Sequence, residues 1–420
     1  MDKNVRSSSS VDLDYSLEAV PQDSTERKGF WGLFVVMLGF TFFSASMSVG
    51  ANMANGLNFS TFVKAILIGG LILSVYTGLL AYVGSASGLS MDLLAQRSFG
   101  TIGSYLPSAL ISFTQIGWFG VGAAMFAYPV SELTGINHWI FIVLVGVLMT
   151  SSAYFGMKGL TLVSFISVPL ITILGVYSMI LATRNGGGLI AMFDQSQGNM
   201  TLFAAVGMVV GSFVSGGTAT PNFVRFSKTK KIAVITTVIA FFLGNTLMFL
   251  FGAVGGAFTG KDDIFYVMIA QGLTIPAILV LGANIWTTND NALYSSALGL
   301  SNITKIRKKP LTLVAGAIGT LLAVWLYNNF VGWLSLLNAT LPPVGAILVL
   351  DYFIHKENYA SDSLEPTRKV NITAIVGVAA GALAANLLNW GIASINAMVV
   401  AIFCYLVGEL INRKQKNTKN

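Results

Sequence analysis

One apolar stretch follows another through this chain, broken only by short polar links, and that succession fixes what it can fold into. Crossing about 30 Å of hydrocarbon takes roughly 20 apolar residues in a helix. Twelve such stretches are legible, at about 30–54, 60–86, 105–131, 138–157, 160–183, 201–222, 232–258, 265–300, 310–329, 331–354, 370–390 and 392–412. The eighth is too long for one straight span and predicts a bend or a short extra helix. Only 10% of the residues are charged, against about 25% in a soluble domain. The expectation is an all-α integral membrane protein.

Basic residues test the span count, because Lys and Arg collect on the cytoplasmic side of a membrane. With the N-terminus inside, 21 of the 24 basic residues fall in inside segments. Only Lys64, Arg184 and Lys261 fall outside. One missed or invented span would invert every later loop and destroy this alternation. Twelve spans in the cell (inner or plasma) membrane, with both termini cytoplasmic, is therefore the expected topology. The net charge of +7 is then a topological signal and not a nucleic-acid footprint. Residues 1–29, polar and without an apolar core, read as a mobile cytoplasmic tail, and 413–420 as a second tail.

Enzyme chemistry is poorly supplied. The single cysteine, Cys404, excludes an internal disulfide, and the two histidines, His138 and His355, sit at segment edges. No span holds a paired carboxylate, a His–nucleophile pair or a metal-ligand cluster, so neither an organic cofactor nor an obligate protein partner is implied.

Two spans break helical rules in the same way. Thr41-Phe42-Phe43-Ser44 in span one aligns with Ser212-Phe213-Val214-Ser215 in span six, each within a run of Gly and Ser. Small residues also serve ordinary helix packing in membranes. Discontinuous helices in corresponding halves are, however, the best sequence pointer to a transporter site. Spans one and six are five apart, an odd number, so equivalent helices would cross in opposite directions. That predicts a 5+5 inverted repeat, 30–183 and 201–354, followed by two peripheral helices in 370–412. Pro169 in span five and Pro342-Pro343 in span ten match as bent, gate-like helices.

Candidate chemistry gathers in three spans. Span eight carries Asn284, Thr287, Thr288, Asn289, Asp290 and Asn291, costly company for a bilayer centre. Asp290 is the one acid expected deep within a span, either a buried structural anion or a proton-linked group, with Asn289 beside it. The Thr287 and Thr288 hydroxyls, the Asn284 carbonyl and carbonyls freed at the span-one break would offer about five neutral oxygens. Such a set suits a monovalent hard cation, Na⁺ above all, and not Mg²⁺ or Ca²⁺. In span three, Gln115 and Trp118 share a helix face; an amide edge and a flat π surface match a planar heterocycle with alternating N–H and C=O groups. Phe213 would close that stack from span six.

The strings LGFTFFSASM, TQIGWFGVGAAMFA, GSFVSGGT, NIWTTNDNALY and LYNNFVGWL, in this order, closely resemble the nucleobase:cation symporter-1 family. The resemblance runs from about residue 28 to 354 and implies the ten-helix inverted repeat of sodium-coupled symporters, plus two helices. It implies cytosine stacked between Trp118 and Phe213 with polar contacts at Gln115, Ser212, Ser215 and Asn284. It also implies Na⁺ held by the backbone of Gly39 and Phe42, the Asn284 carbonyl, and Thr287 and Thr288. A proton-coupled or broader purine, allantoin or hydantoin permease stands as the alternative.

Overall fold

The computed structural model describes residues 14–193, 196, 198–359, 368–388 and 390–417, with side chains excepted at 330–338 and 415–417. Helices fill the expected ranges. Span one is a bent pair, α1 (Phe30–Thr41) and α2 (Ser44–Gly56), meeting at 55°. Span two is α3 (Phe59–Ser87), followed by the short α4 (Met91–Phe99); spans three to five are α5 (Tyr105–Thr134), α6 (His138–Tyr154) and α7 (Met157–Asn185). Span six is α8 (Leu202–Gly217) with the single turn α9 (Pro221–Val224). Span seven joins α10 (Lys230–Ile239) to α11 (Asn245–Thr259) through a π-turn at Ala240–Gly244. The overlong eighth stretch resolves into α12 (Ile264–Ala270) and α13 (Thr274–Thr304). Then come α14 (Lys308–Asn328), α15 (Phe330–Ile354), α16 (Ile372–Leu387) and α17 (Ala393–Asn417). Among the described residues six helices are long and apolar enough to cross a membrane, and the bent pair makes a seventh. Shorter apolar helices supply four more, and α13 runs 31 residues but carries the polar Thr287–Asn291 run.

Packing repeats under a shift of five spans. α2 lies on α11 as α8 lies on α3, so span one meets seven as span six meets two. In the same way α1 packs on α7 as α8 packs on α15, and α5 on α14 as α13 on α6. The self-paired contacts, α5 with α13 and α6 with α14, sit where a two-fold axis requires them.

The N-terminal expectation needs correction. Residues 14–28 are not a free tail but a strap across the ends of four helix pairs. The Val20 amide donates to the Gly88 carbonyl (2.8 Å) after span two, and Lys158 after span four pairs with Glu26 (3.3 Å). Lys28 bridges Ser227 after span six, and Asp14 pairs with Lys308 after span eight (2.9 Å). One short segment reaches all four links only if they lie on one face of the bundle, which is the parity that the basic residues imply. The cause is electrostatic: Lys308 and Arg225 are fully buried, and a buried cation requires partners. Arg225 donates to the Asp14 and Tyr15 carbonyls and to Tyr294 Oη. At the other end, α17 continues through Arg413 to Asn417 where a tail was expected.

Candidate functional site

Span one breaks where the sequence places it. Phe42 and Phe43 adopt extended backbone (φ −80°, ψ 92° and φ −140°, ψ 130°), and α2 restarts at Ser44. A carbonyl freed at mid-membrane must find a donor, since an unpaired one costs several kcal/mol. Here the Thr288 hydroxyl donates to the Phe42 carbonyl at 2.7 Å, and it lies 3.4 Å from the Phe40 carbonyl and 3.5 Å from that of Asn284. Thr287 donates to the Ala283 and Asn284 carbonyls at 3.1 and 3.0 Å. A Cβ built on Gly39 would stand 3.0 Å from Ser164 Oγ and 3.2 Å from the Thr287 Cβ, so glycine lets α1, α7 and α13 close together. The expected oxygen set of Gly39, Phe42, Asn284, Thr287 and Thr288 is thus gathered at one place, although the Gly39 carbonyl also accepts from the Phe42 amide (3.2 Å). Ser164 Oγ joins it, buried and without a hydrogen-bond partner. Sequence reasoning missed Ser164 because a lone serine in an apolar span carries no signal. The π-turn of span seven supports the same break: the Thr41 hydroxyl lies 3.2 Å from the Ala240 carbonyl.

Span six is otherwise. The Gly211–Gly217 run, expected to be interrupted, is wound as continuous α-helix, and the Thr218 amide still reaches the Val214 carbonyl at 3.1 Å. Departure comes one turn later, at Thr218–Thr220, where i→i+3 bonds replace the ladder ahead of Pro221. None of these glycines takes a positive φ, so their number alone breaks nothing; Pro221, which lacks an N–H, ends the ladder.

A small cavity of about 10 Å³, room for about one water, lies beside the span-one break. Its lining is Phe40, Phe43, Gln115, Trp118, Ser212, Phe213, Ser215, Gly216 and Thr288. Five of the six expected substrate contacts therefore converge. Two of them are buried polar atoms without a partner, Gln115 Nε2 and Ser215 Oγ, whereas the Ser212 hydroxyl is spent on the Val209 carbonyl (2.8 Å). Asn284 is the exception. Its side chain turns away, accepting from Ser44 Oγ (3.1 Å) and donating to Met248 Sδ (3.2 Å); its backbone carbonyl alone reaches Thr287 and Thr288. Helix periodicity puts Asn284 one turn from Thr288 but says nothing of its rotamer.

Span one also supplies two walls that sequence reasoning left out. Phe43 meets Trp118 edge to face (5.3 Å, 81°), and Phe40 meets Phe213 (5.1 Å, 84°). The residue that offers its carbonyl to Thr288 is thus followed directly by one whose ring covers Trp118. Asp290 and Asn289 belong to neither set. Asn289 donates to the Phe119 carbonyl at 2.9 Å, and Asp290 is fully buried beside Ser152, whose hydroxyl accepts from Trp286 (2.9 Å). Among the described residues, no group of three His, Cys, Asp or Glu is placed to hold a metal.

A multi-pass bundle whose broken helix borders two small buried sites has the architecture of a membrane transporter. A family model described as permease for cytosine/purines, uracil, thiamine, allantoin matches residues 19–408, and the chain belongs to that family. It is 49% identical over 407 residues to the cytosine permease of Escherichia coli (strain K12), 96% of each chain being covered. Against the hydantoin permease of Microbacterium maritypicum it is 24% identical over 360 residues, 76% of this chain and 73% of that one. The solved structure of Mhp1, a nucleobase-cation-symport-1 family transporter in a closed conformation with bromovinylhydantoin bound, matches with a TM-score of 0.80 at 20% identity. That match covers 95% of this chain and 96% of the other and shows the shared fold.

Proposed function

We propose that this chain imports cytosine across the cell membrane together with Na⁺, by alternating access, with both termini in the cytoplasm. The observation that carries the reading is the pairing at the span-one break. Phe42 turns a carbonyl to Thr288 in the oxygen set, and Phe43 turns a ring to Trp118 in the cavity. A cation drawn to the first fixes the backbone on which the second depends. Cytosine is the base favoured because the E. coli relative of that name is so similar in sequence, and because the orphaned Gln115 amide and Ser215 hydroxyl suit the edge of such a ring. Trp118 and Phe213 supply its faces.

In this reading Na⁺ takes the oxygens of Phe42, Asn284, Thr287 and Thr288, with Gly39 and Ser164 beside them. The base enters between Trp118 and Phe213, displacing the edge of Phe43. Occupancy of both favours rocking of spans one, two, six and seven against the rest. Ligands shift such an equilibrium only by their difference in affinity for the two states. The membrane potential adds about 2.3 kcal/mol per charge per 100 mV.

Uptake of labelled cytosine into proteoliposomes tests this, with Na⁺ replaced by choline at several pH values. Uptake that requires Na⁺ supports the proposal. Uptake that persists in choline and rises with acid overturns Na⁺ coupling in favour of proton coupling.

A further inference from the structure

We infer that Gly216 is a positioning residue for the stacking wall: it holds the Phe213 ring out of the chamber that the base must enter. The inference rests on the function proposed above. Gly216 lies inside α8 without a positive φ, so the backbone does not require glycine there, and glycine weakens a helix interior relative to alanine. What occupies the missing methyl's place is Phe213, one helical turn earlier on the same face. A Cβ on Gly216 would stand 2.9 Å from Phe213 Cε1 and 3.1 Å from Cδ1, well inside the roughly 3.5–4.0 Å at which carbon atoms attract.

The ring has little choice of where to go. Phe40 meets it edge to face at 5.1 Å and Phe241 at 5.6 Å, and both are buried to within 1%. The open direction is the cavity that Phe213 lines with Gln115, Trp118 and Ser215. A methyl at 216 therefore drives the wall into the base's space. Two other glycines of α8 differ. A Cβ on Gly217 would meet Thr77 of α3 at 2.8 Å, which is helix packing, and one on Gly207 would find nothing nearer than Ile392 at 3.9 Å.

The test measures equilibrium binding of cytosine, uracil, adenine and hydantoin to the purified full chain, wild type against Gly216→Ala and Gly207→Ala, with ligand-free thermal stability alongside. The expected result is a loss of about tenfold or more in affinity for the best-bound base in Gly216→Ala, from overpacking, with ligand-free stability unchanged or raised. Gly207→Ala keeps wild-type affinity. Wild-type affinity in Gly216→Ala overturns the role of the glycine alone. Failure of the wild type to bind any of the four overturns the proposed function and this role with it. If Gly216→Ala does not fold, the Phe213→Ala/Gly216→Ala double variant must fold, because the obstructing ring is gone; failure of both overturns the inference.

Discussion

Replacing Thr288 by valine removes one hydroxyl at nearly constant volume, and the structure fixes what that hydroxyl does. It donates to the Phe42 carbonyl at 2.7 Å across the junction of α13 and the span-one break. Its loss leaves a buried carbonyl short of its donor, at a cost of about 1–3 kcal/mol in stability. The cation loses more selectively. An oxygen contact to a charged group contributes about 2 kcal/mol, which is roughly thirtyfold in affinity at 1.4 kcal/mol per decade. The assay is thermal unfolding of the purified protein titrated with NaCl, with choline chloride holding ionic strength constant. Wild type should gain stability with Na⁺, following mass action on the folded state. Thr288→Val should start lower and need about thirty times more Na⁺ for the same gain, and Thr288→Ser should recover most of it. A Na⁺ titration of Thr288→Val superimposable on wild type would refute the reasoning, because the hydroxyl would then have no part in holding the ion.

Other outcomes follow from the same geometry. Gln115→Ala should weaken cytosine binding by roughly 1–3 kcal/mol, read by scintillation proximity, while ligand-free stability holds, since the amide nitrogen it removes is already unpartnered. Asp14→Asn should destabilise by about 3 kcal/mol in denaturant titration, because Lys308 is left buried without its counter-charge, and Asp14→Leu/Lys308→Met should restore part of the loss. His355 Nδ1 donates to the Asp351 carboxylate at 2.8 Å, and that contact holds its pKa above 6.5. Its stabilisation is full below pH 6.5 and is lost as pH rises through the raised value, so His355→Gln should flatten the thermal stability profile above pH 6.5. Burial lifts Asp92, on the short α4, to about 6. Stability tied to it should fall between about pH 4 and pH 6, a decline that Asp92→Asn should abolish.

The bundle was legible because hydrocarbon thickness and loop charge are stringent and independent filters on a sequence. Helical spacing puts Gln115 and Trp118 on one face of α5 and Ser212 and Ser215 on one face of α8, and both pairs line the cavity together with Phe213. What stayed hidden depends on interactions that no local string encodes. Glycine count suggested a break in α8, but glycine permits a break without imposing one, and Pro221 decides its position. Asn284 has the right register, yet Ser44 and Met248, distant in sequence, claim its amide. The strap at 14–28 looked like a tail because it is polar, and only the buried Arg225 and Lys308 explain why polar chain is held there. Phe40, Phe43 and Ser164 are common residues in apolar spans and acquire meaning from their neighbours.

Linkage between the two sites is the most direct measure of whether one broken helix serves both. Na⁺ affinity should be determined with and without saturating cytosine, and cytosine affinity with and without saturating Na⁺, on the same preparation. Shared use of Phe42 and Phe43 predicts that each ligand tightens the other, by the same factor in both directions, as binding free energies require. Affinities for each ligand that are indifferent to the other would mean that the Phe42 carbonyl and the Phe43 ring act separately, and the account of coupling at the span-one break would be wrong.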